Sequence, residues 1–357
     1  MISNDNIIEM FGLTSKQTQM MFSIQKLIIQ HDIRLSQGTK SYQLKKEWLK
    51  DWEKSIADYM KILTNDSNNN LLPIKELDVE LKEEYEKLPS KTWYYIVVLE
   101  CLEFCPYTSL GDETKDKNYS KLKCKKKELF EYVVSFFAKQ GLITEEKIKR
   151  LSKVYQKSID EISGKTKSTA IKFTIVLGVS AICAALAAIG AGPIAIAIFG
   201  KSFEGLAGAA LTSACLAAVG GGAIAVGGLG MVGGAMIIAG GGALLGLASA
   251  STVTLVTSIV MLKSPDYTLT QAAKLETILK EVVLNVQQDV VSAQIVIERY
   301  KERIEELNKK VTEMEIQAEC TKKELKNIKE SIKYMKKSCK CMAVFTSCYE
   351  EGMKHTA

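Results

Sequence analysis

The chain has 357 residues, enough for two or three structural units, and 47 basic against 41 acidic residues leave a formal net charge of +6, too small a bulk field to point to nucleic acid. Two histidines give histidine-based acid–base or metal catalysis little to work with. The first residues show no basic stretch followed by an apolar one, so nine cysteines read as reduced thiols on a protein made in the cytosol without a signal peptide.

From the start to about residue 164, apolar residues recur at helical spacing. Ser15 is placed to cap a helix reaching Arg34, with Met21, Ile24, Leu27 and Ile28 on its apolar face. Ser41 opens a second, where Leu44, Trp48, Trp52, Ile56, Tyr59 and Leu63 keep that spacing. The asparagine-rich stretch 65–72 reads as a loop. Ser90 caps a third helix, and 93–104 is so continuously apolar that it should be buried on every side. Residues 106–118 read as another loop. A fourth helix spans about 120–139 with Gly141 as its C-cap. Thr144 caps a fifth, with Glu145 and Glu146 in the first turn and Ile148, Leu151, Tyr155 and Ile159 on one face. No segment alternates with a period of two, so 1–164 is expected to be an all-α domain. Its stretch 129–162, with Gly141-Leu-Ile-Thr-x-Glu at the turn, resembles the helix pairs of tellurite-resistance (TerB-like) domains.

Residues 165–262 form the second region. Residues 173–200 carry no charge, Lys201 and Glu204 interrupt, and 205–262 is again uncharged. At about 20 apolar residues per crossing, that length can span a bilayer two to four times. Half of the 24 glycines lie between 220 and 246, in order: Gly220, Gly227, Gly234 and Gly241 repeat every seven residues beside a second row, Gly221, Gly228 and Gly242. Ile224, Met231, Ile238 and Leu245 make a parallel row of large residues. In lipid, helices associate by close backbone approach, which small residues permit; Gly230-x-x-x-Gly234 and Gly242-x-x-x-Gly246 are such pairs. In water each helical glycine would cost about 0.5–1 kcal/mol. Lys165, Lys167 and Lys172 precede the block, where juxtamembrane lysines each contribute about 1 kcal/mol toward anionic lipid.

The third region, 263–357, opens at Pro265 and carries heptads. Leu269, Ala272, Leu279, Val283, Val286, Val290 and Ala293 lead into Ile297, Tyr300, Ile304, Leu307, Val311, Met314, Ala318, Thr321, Leu325, Ile328, Ile332 and Met335, with Glu276 the one break. That predicts a coiled-coil helix on the order of 100 Å long at 1.5 Å per residue, followed by a tail rich in cysteine and lysine.

Letter patterns that suggest chemistry fail on context. Gly228-Leu-Gly230-Met-Val-Gly233 follows no strand and has no acidic residue about 20 positions on, as a dinucleotide site needs. Gly200-Lys201-Ser202 lacks the first glycine of a phosphate loop, Ala195 standing there. Cys101 and Cys105 on a helix, and Cys339, Cys341, Cys348 and His355 near the end, lack zinc-knuckle pairing. The expectation is no enzyme, no cofactor, no metal and no nucleic acid partner.

A helical domain, a charge-free glycine/alanine hairpin and a long coiled helix together resemble the α-helical pore-forming toxins and the apolipoprotein-L type of membrane-active protein, over 170–335. That resemblance implies a membrane-inserting homo-oligomer, assembled through glycine faces and coiled coil, that permeabilises a bilayer. Without a signal peptide it implies action on a membrane of its own cell, as a cell-suicide or antiviral effector does, with a soluble form before insertion. The alternative is a constitutive membrane-anchored coiled-coil scaffold or tether without pore activity.

Overall fold

The computed structural model describes residues 10–64, 70–108, 110, 113–164, 240–245, 262–316 and 321–354. They are all-helical: ten helices and no strand among the described residues. They fall into two compact units, one over Leu13–Lys149 and the other from Arg150 onward together with residues 10–12.

The N-terminal unit is built around α1 (Ser15–Arg34), which packs on α2 (Tyr42–Thr64), α3 (Ile74–Lys87), α4 (Thr92–Leu102) and α6 (Lys126–Gln140), while the short α5 (Glu113–Tyr119) rests on α2. Thr14, rather than Ser15, caps α1. Its hydroxyl accepts from the Gln17 N–H while the Gln17 side chain takes the Thr14 N–H, so two orphan donors are satisfied at once. Met20, Met21, Phe22, Ile24, Ile28, Ile29 and Ile33 bury a stripe wide enough to serve several neighbours. Helix α4 is buried from Thr92 to Cys101 without a gap, as its apolar run predicts. Trp48, Trp52, Phe22, Phe104 and Tyr107 pack as an aromatic cluster between α1, α2 and the segment after α4. Gly141 ends α6 in the left-handed conformation at φ +74°, the C-cap expected. Helices α3 and α5 lie where the sequence reading saw no helix.

The C-terminal unit is a bundle of α7 (Glu145–Ser163) from Arg150 on, α8 (Pro265–Ile278), α9 (Val290–Ile316) and α10 (Lys322–Lys354). Leu151, Tyr155, Ile159 and Ile162 of α7 are buried. The expected single coiled-coil helix is corrected in two places. After α8 the backbone widens into a π-helical stretch over Leu279–Leu284, and Gln288 turns it at φ +55°. Asp289 then accepts from the Ser292 N–H at 2.9 Å and the Ser292 hydroxyl at 2.6 Å and so starts α9 afresh. Val286, a heptad position in the sequence, is exposed here, as is Val291. The second break precedes α10, where Thr321 and Glu324 form a reciprocal cap: Glu324 N–H to the Thr321 hydroxyl, 3.2 Å, and Thr321 N–H to the Glu324 carboxylate, 2.9 Å.

The heptads therefore close on their own chain. Lys329 pairs with Glu315 at 2.7 Å, Lys336 with Asn308 at 3.3 Å and Gln294 with Glu350 at 2.5 Å. From the first pair to the second is one heptad down α9 and one up α10, and from the second to the third two more. The two helices run antiparallel in heptad register. Ile297, Tyr300, Ile304, Leu307 and Val311 of the predicted seam are buried on α9, and Ile328 and Ile332 on α10; Leu325, in its first turn, is half-buried. Helix α8 runs in the direction of α10: Ser331 Oγ donates to the Leu262 carbonyl at 2.6 Å, and Ser338 Oγ to the Ala272 carbonyl at 3.2 Å.

Candidate functional site

Three described stretches lie at the borders of the uncharged block or within it, and all three belong to the C-terminal unit. The chain leaves α7 at Gly164, whose φ of +70° ends that helix. It is described again at 240–245, and finally from Leu262, whose carbonyl Ser331 holds. Among the described residues no helix is long and apolar enough to cross a membrane.

Residues 240–245 form a clasp on α8 and α9. Gly240 and Gly241 take positive φ in succession (64° and 83°), and a 3₁₀ turn, Gly242–Leu245, follows with Leu244 and Leu245 buried. Gly241 lies directly on the α8 backbone. A Cβ added there would come within 2.6 Å of the Gln271 carbonyl oxygen and 2.8 Å of the Leu275 nitrogen. No side chain fits, so both glycine properties are used at once, left-handed backbone and absent Cβ. Gly241 and Gly242, expected on a membrane helix face, are both buried in this turn, and the backbone that Gly241 approaches closely belongs to α8 of the same chain. Gly220, Gly227, Gly230, Gly234, Gly246, Lys165, Lys167 and Lys172 lie outside the described residues.

One turn beyond the clasp, α8 carries the residue that broke the heptads. Glu276 is fully buried. It accepts from Ser158 Oγ of α7 at 3.0 Å and from Lys280 Nζ at 2.7 Å, and Lys280 also reaches Glu161 of α7 at 3.6 Å. Burial raises the Glu276 carboxyl above the usual range, partly offset by Lys280 and Ser158. Lys280 is raised by Glu276 and Glu161 despite the desolvation that works against it. Arg150 of α7 closes the row with a two-pronged pair to Glu281, 2.6 and 3.2 Å. These contacts tie the helix entering the block to the helix leaving it. Glu161, Glu276 and Cys341 converge closely enough to hold a cation, but the ammonium of Lys280 already stands among them and supplies the positive charge. Gln271, Tyr300 and one oxygen of Glu276 are buried with polar atoms that have no hydrogen-bond partner among the described residues, an unusual load of polarity for a bundle core.

The N-terminal unit has its own buried ion pair. Asp32 of α1, fully buried, accepts from Lys45 Nζ at 2.5 Å, Tyr107 OH at 2.6 Å and the Lys125 N–H at 2.9 Å. Lys45 also donates to Ser36 Oγ at 2.8 Å. Beside them Cys105 and Cys124 meet with sulfurs 3.6 Å apart. Cys105 falls past the end of α4, not on it as the sequence suggested. Sequence reasoning found neither cluster, although Glu276, as the lone charged core position, marks the first.

No family model, curated protein or solved structure matches this chain.

Proposed function

We propose that the protein inserts into a bilayer as an oligomer and permeabilises it, with the block between α7 and α8 as the inserting part and the C-terminal bundle as the body that retains or releases it. One observation carries this reading: about ninety nearly uncharged residues with glycines in heptad rows, bordered on both sides by helices of one bundle. The bundle suits release. Its core keeps Glu276, Gln271 and Tyr300 where apolar residues would be more stabilising, and the polar ties it does make, from Ser158 and Lys280 to Glu276, can be exchanged. Lys165, Lys167 and Lys172 then sit at the lipid interface, and Gly220, Gly227, Gly230, Gly234 and Gly246 allow close helix approach within it. The tether alternative needs a coiled coil whose seam is open to other molecules. The burial of Ile297, Tyr300, Ile304 and Leu307 against the chain's own helices favours the inserting reading.

The test is leakage from dye-loaded vesicles containing anionic lipid, with wild type beside a Gly227→Leu, Gly234→Leu double variant. Wild type should release dye and the variant should bind without releasing it. Vesicles that stay intact with wild type at every pH and lipid composition would overturn the proposal.

A further inference from the structure

The Cys105–Cys124 pair is held from outside itself. Cys105 stands in the segment between α4 and α5, and Cys124 two residues before α6. Tyr107, two residues after the first thiol, and Lys125, next to the second, both bond the two oxygens of Asp32, on a third element. Tyr107 keeps this reach with φ at +71°, a left-handed backbone that few aromatic residues adopt. One buried carboxylate thus fixes both thiol-bearing segments, with sulfurs 3.6 Å apart and both residues partly exposed. Closing to a bonded distance of about 2.05 Å requires a shift of about 1.5 Å, within reach of two loop residues.

We propose that Cys105 and Cys124 form an oxidant-responsive dithiol that takes a hydroperoxide as co-substrate and closes to an intrachain disulfide. The Cys105–Cys124 hydrogen bond draws the Cys124 thiol below its ordinary range, with Lys126 adding to this against the opposing effects of burial and of the Asp32 carboxylate, and pushes Cys105 up, so Cys124 is the first to ionise. Its thiolate attacks one peroxide oxygen; the S–O bond forms, the O–O bond breaks and hydroxide leaves. The Cys105 sulfur then attacks the sulfenic sulfur, the S–S bond forms, and the oxygen departs as water with the Cys105 proton. Two electrons pass from the two sulfurs to the peroxide, and the hydroxide released in the first step takes up the proton that Cys124 had given up. The product staples the segment bearing Tyr107 and α5 to the start of α6.

The experiment treats the full-length protein with a small excess of hydrogen peroxide, blocks remaining thiols, and maps peptides without reduction. A linked pair containing Cys105 and Cys124, formed at least about tenfold faster than oxidation of the exposed Cys348 and reversed by dithiothreitol, is expected. In Cys105→Ser, Cys124 should instead accumulate a sulfenic acid that dimedone traps. Both thiols still alkylated after Cys348 is consumed would overturn the proposal, as would Cys105 linked to Cys101. The wild-type map decides the matter even if the variant does not fold.

Discussion

Replacing Gly241 with alanine isolates the clasp on α8. Gly141 and Gly38 share its backbone sign, at φ +74° and +77° against +83°, yet an added Cβ at either meets nothing within 4 Å. Those two substitutions therefore cost conformational strain alone, about 1–2 kcal/mol. At Gly241 the new carbon also falls 2.6 Å from the Gln271 carbonyl oxygen, 2.8 Å from the Leu275 nitrogen and 2.9 Å from the Leu275 Cβ. Two of those atoms belong to helix backbone and cannot swing aside, so the overlap adds about 1–3 kcal/mol. The expected totals are about 2–5 kcal/mol for Gly241→Ala and about 1–2 for Gly141→Ala. Hydrogen exchange resolved by peptide reads each locally, over Pro265–Ile278 for the first and Lys126–Gln140 for the second. Under the proposed function, Gly241→Ala should also leak vesicles at a lower protein concentration than wild type. Equal losses for Gly241→Ala and Gly141→Ala would refute the close approach to α8, and with it the clasp.

Asp32→Asn leaves Lys45 buried without its counter-charge and should cost about 3–5 kcal/mol in urea unfolding followed by tryptophan fluorescence. All three tryptophans, Trp48, Trp52 and Trp93, lie in the N-terminal unit and report on it; a loss below about 1 kcal/mol would contradict the role assigned to Asp32. Glu276, raised by burial, stabilises fully below the ordinary carboxylate value of 4.5, and that contribution is lost as pH rises through its folded value. Melting curves of wild type and Glu276→Gln should run parallel below that window and separate in favour of Gln across it; Lys280, itself raised, titrates far above. Glu324 behaves oppositely. Its hydrogen bond from Lys263, with those from Thr321, lowers it to about 2, so its contribution is present above 4.5 and fades as pH falls toward that value, a slope that Glu324→Gln should flatten. Cysteines placed at 308 and 336 and bridged by a short bismaleimide should link within one chain; links between chains in peptide maps would contradict the hairpin.

The sequence is legible where one helix face carries the signal. Helices α1, α2 and α7 announce themselves by apolar spacing and α4 by its unbroken apolar run, and Gly141 ends α6 as expected, while the caps of α1 and α4 fall on Thr14 and Lys91 instead of Ser15 and Ser90. Helix α3 escapes because its buried stripe is only Leu77, Leu81 and Glu84, too thin to stand out among charged neighbours. The coiled helix misleads for a different reason. A seven-residue period is the same whether a seam runs straight on or returns along itself, so spacing alone could not separate the two. The cap residues could: Thr321-Lys-Lys-Glu324 is a capping box written inside the supposed seam, and Asp289 is a helix start amid valines. Glu276 is visible as an anomaly, while its partner Ser158, and Glu161 that shares Lys280 with it, stand more than a hundred residues away. Asp32 with Tyr107 and Lys125, and Cys105 with Cys124, are brought together by tertiary packing that no local pattern encodes.

Because α7 finds its companions α8 to α10 only after the block, the order of synthesis matters. About a hundred residues of apolar chain leave the ribosome between them, which at about 5–20 residues per second takes roughly 5–20 s. Throughout that interval the half of α7 bearing Leu151, Tyr155, Ile159 and Ile162 is without α8 to α10. Under the proposed function, premature contact with lipid would then compete with completion of the bundle.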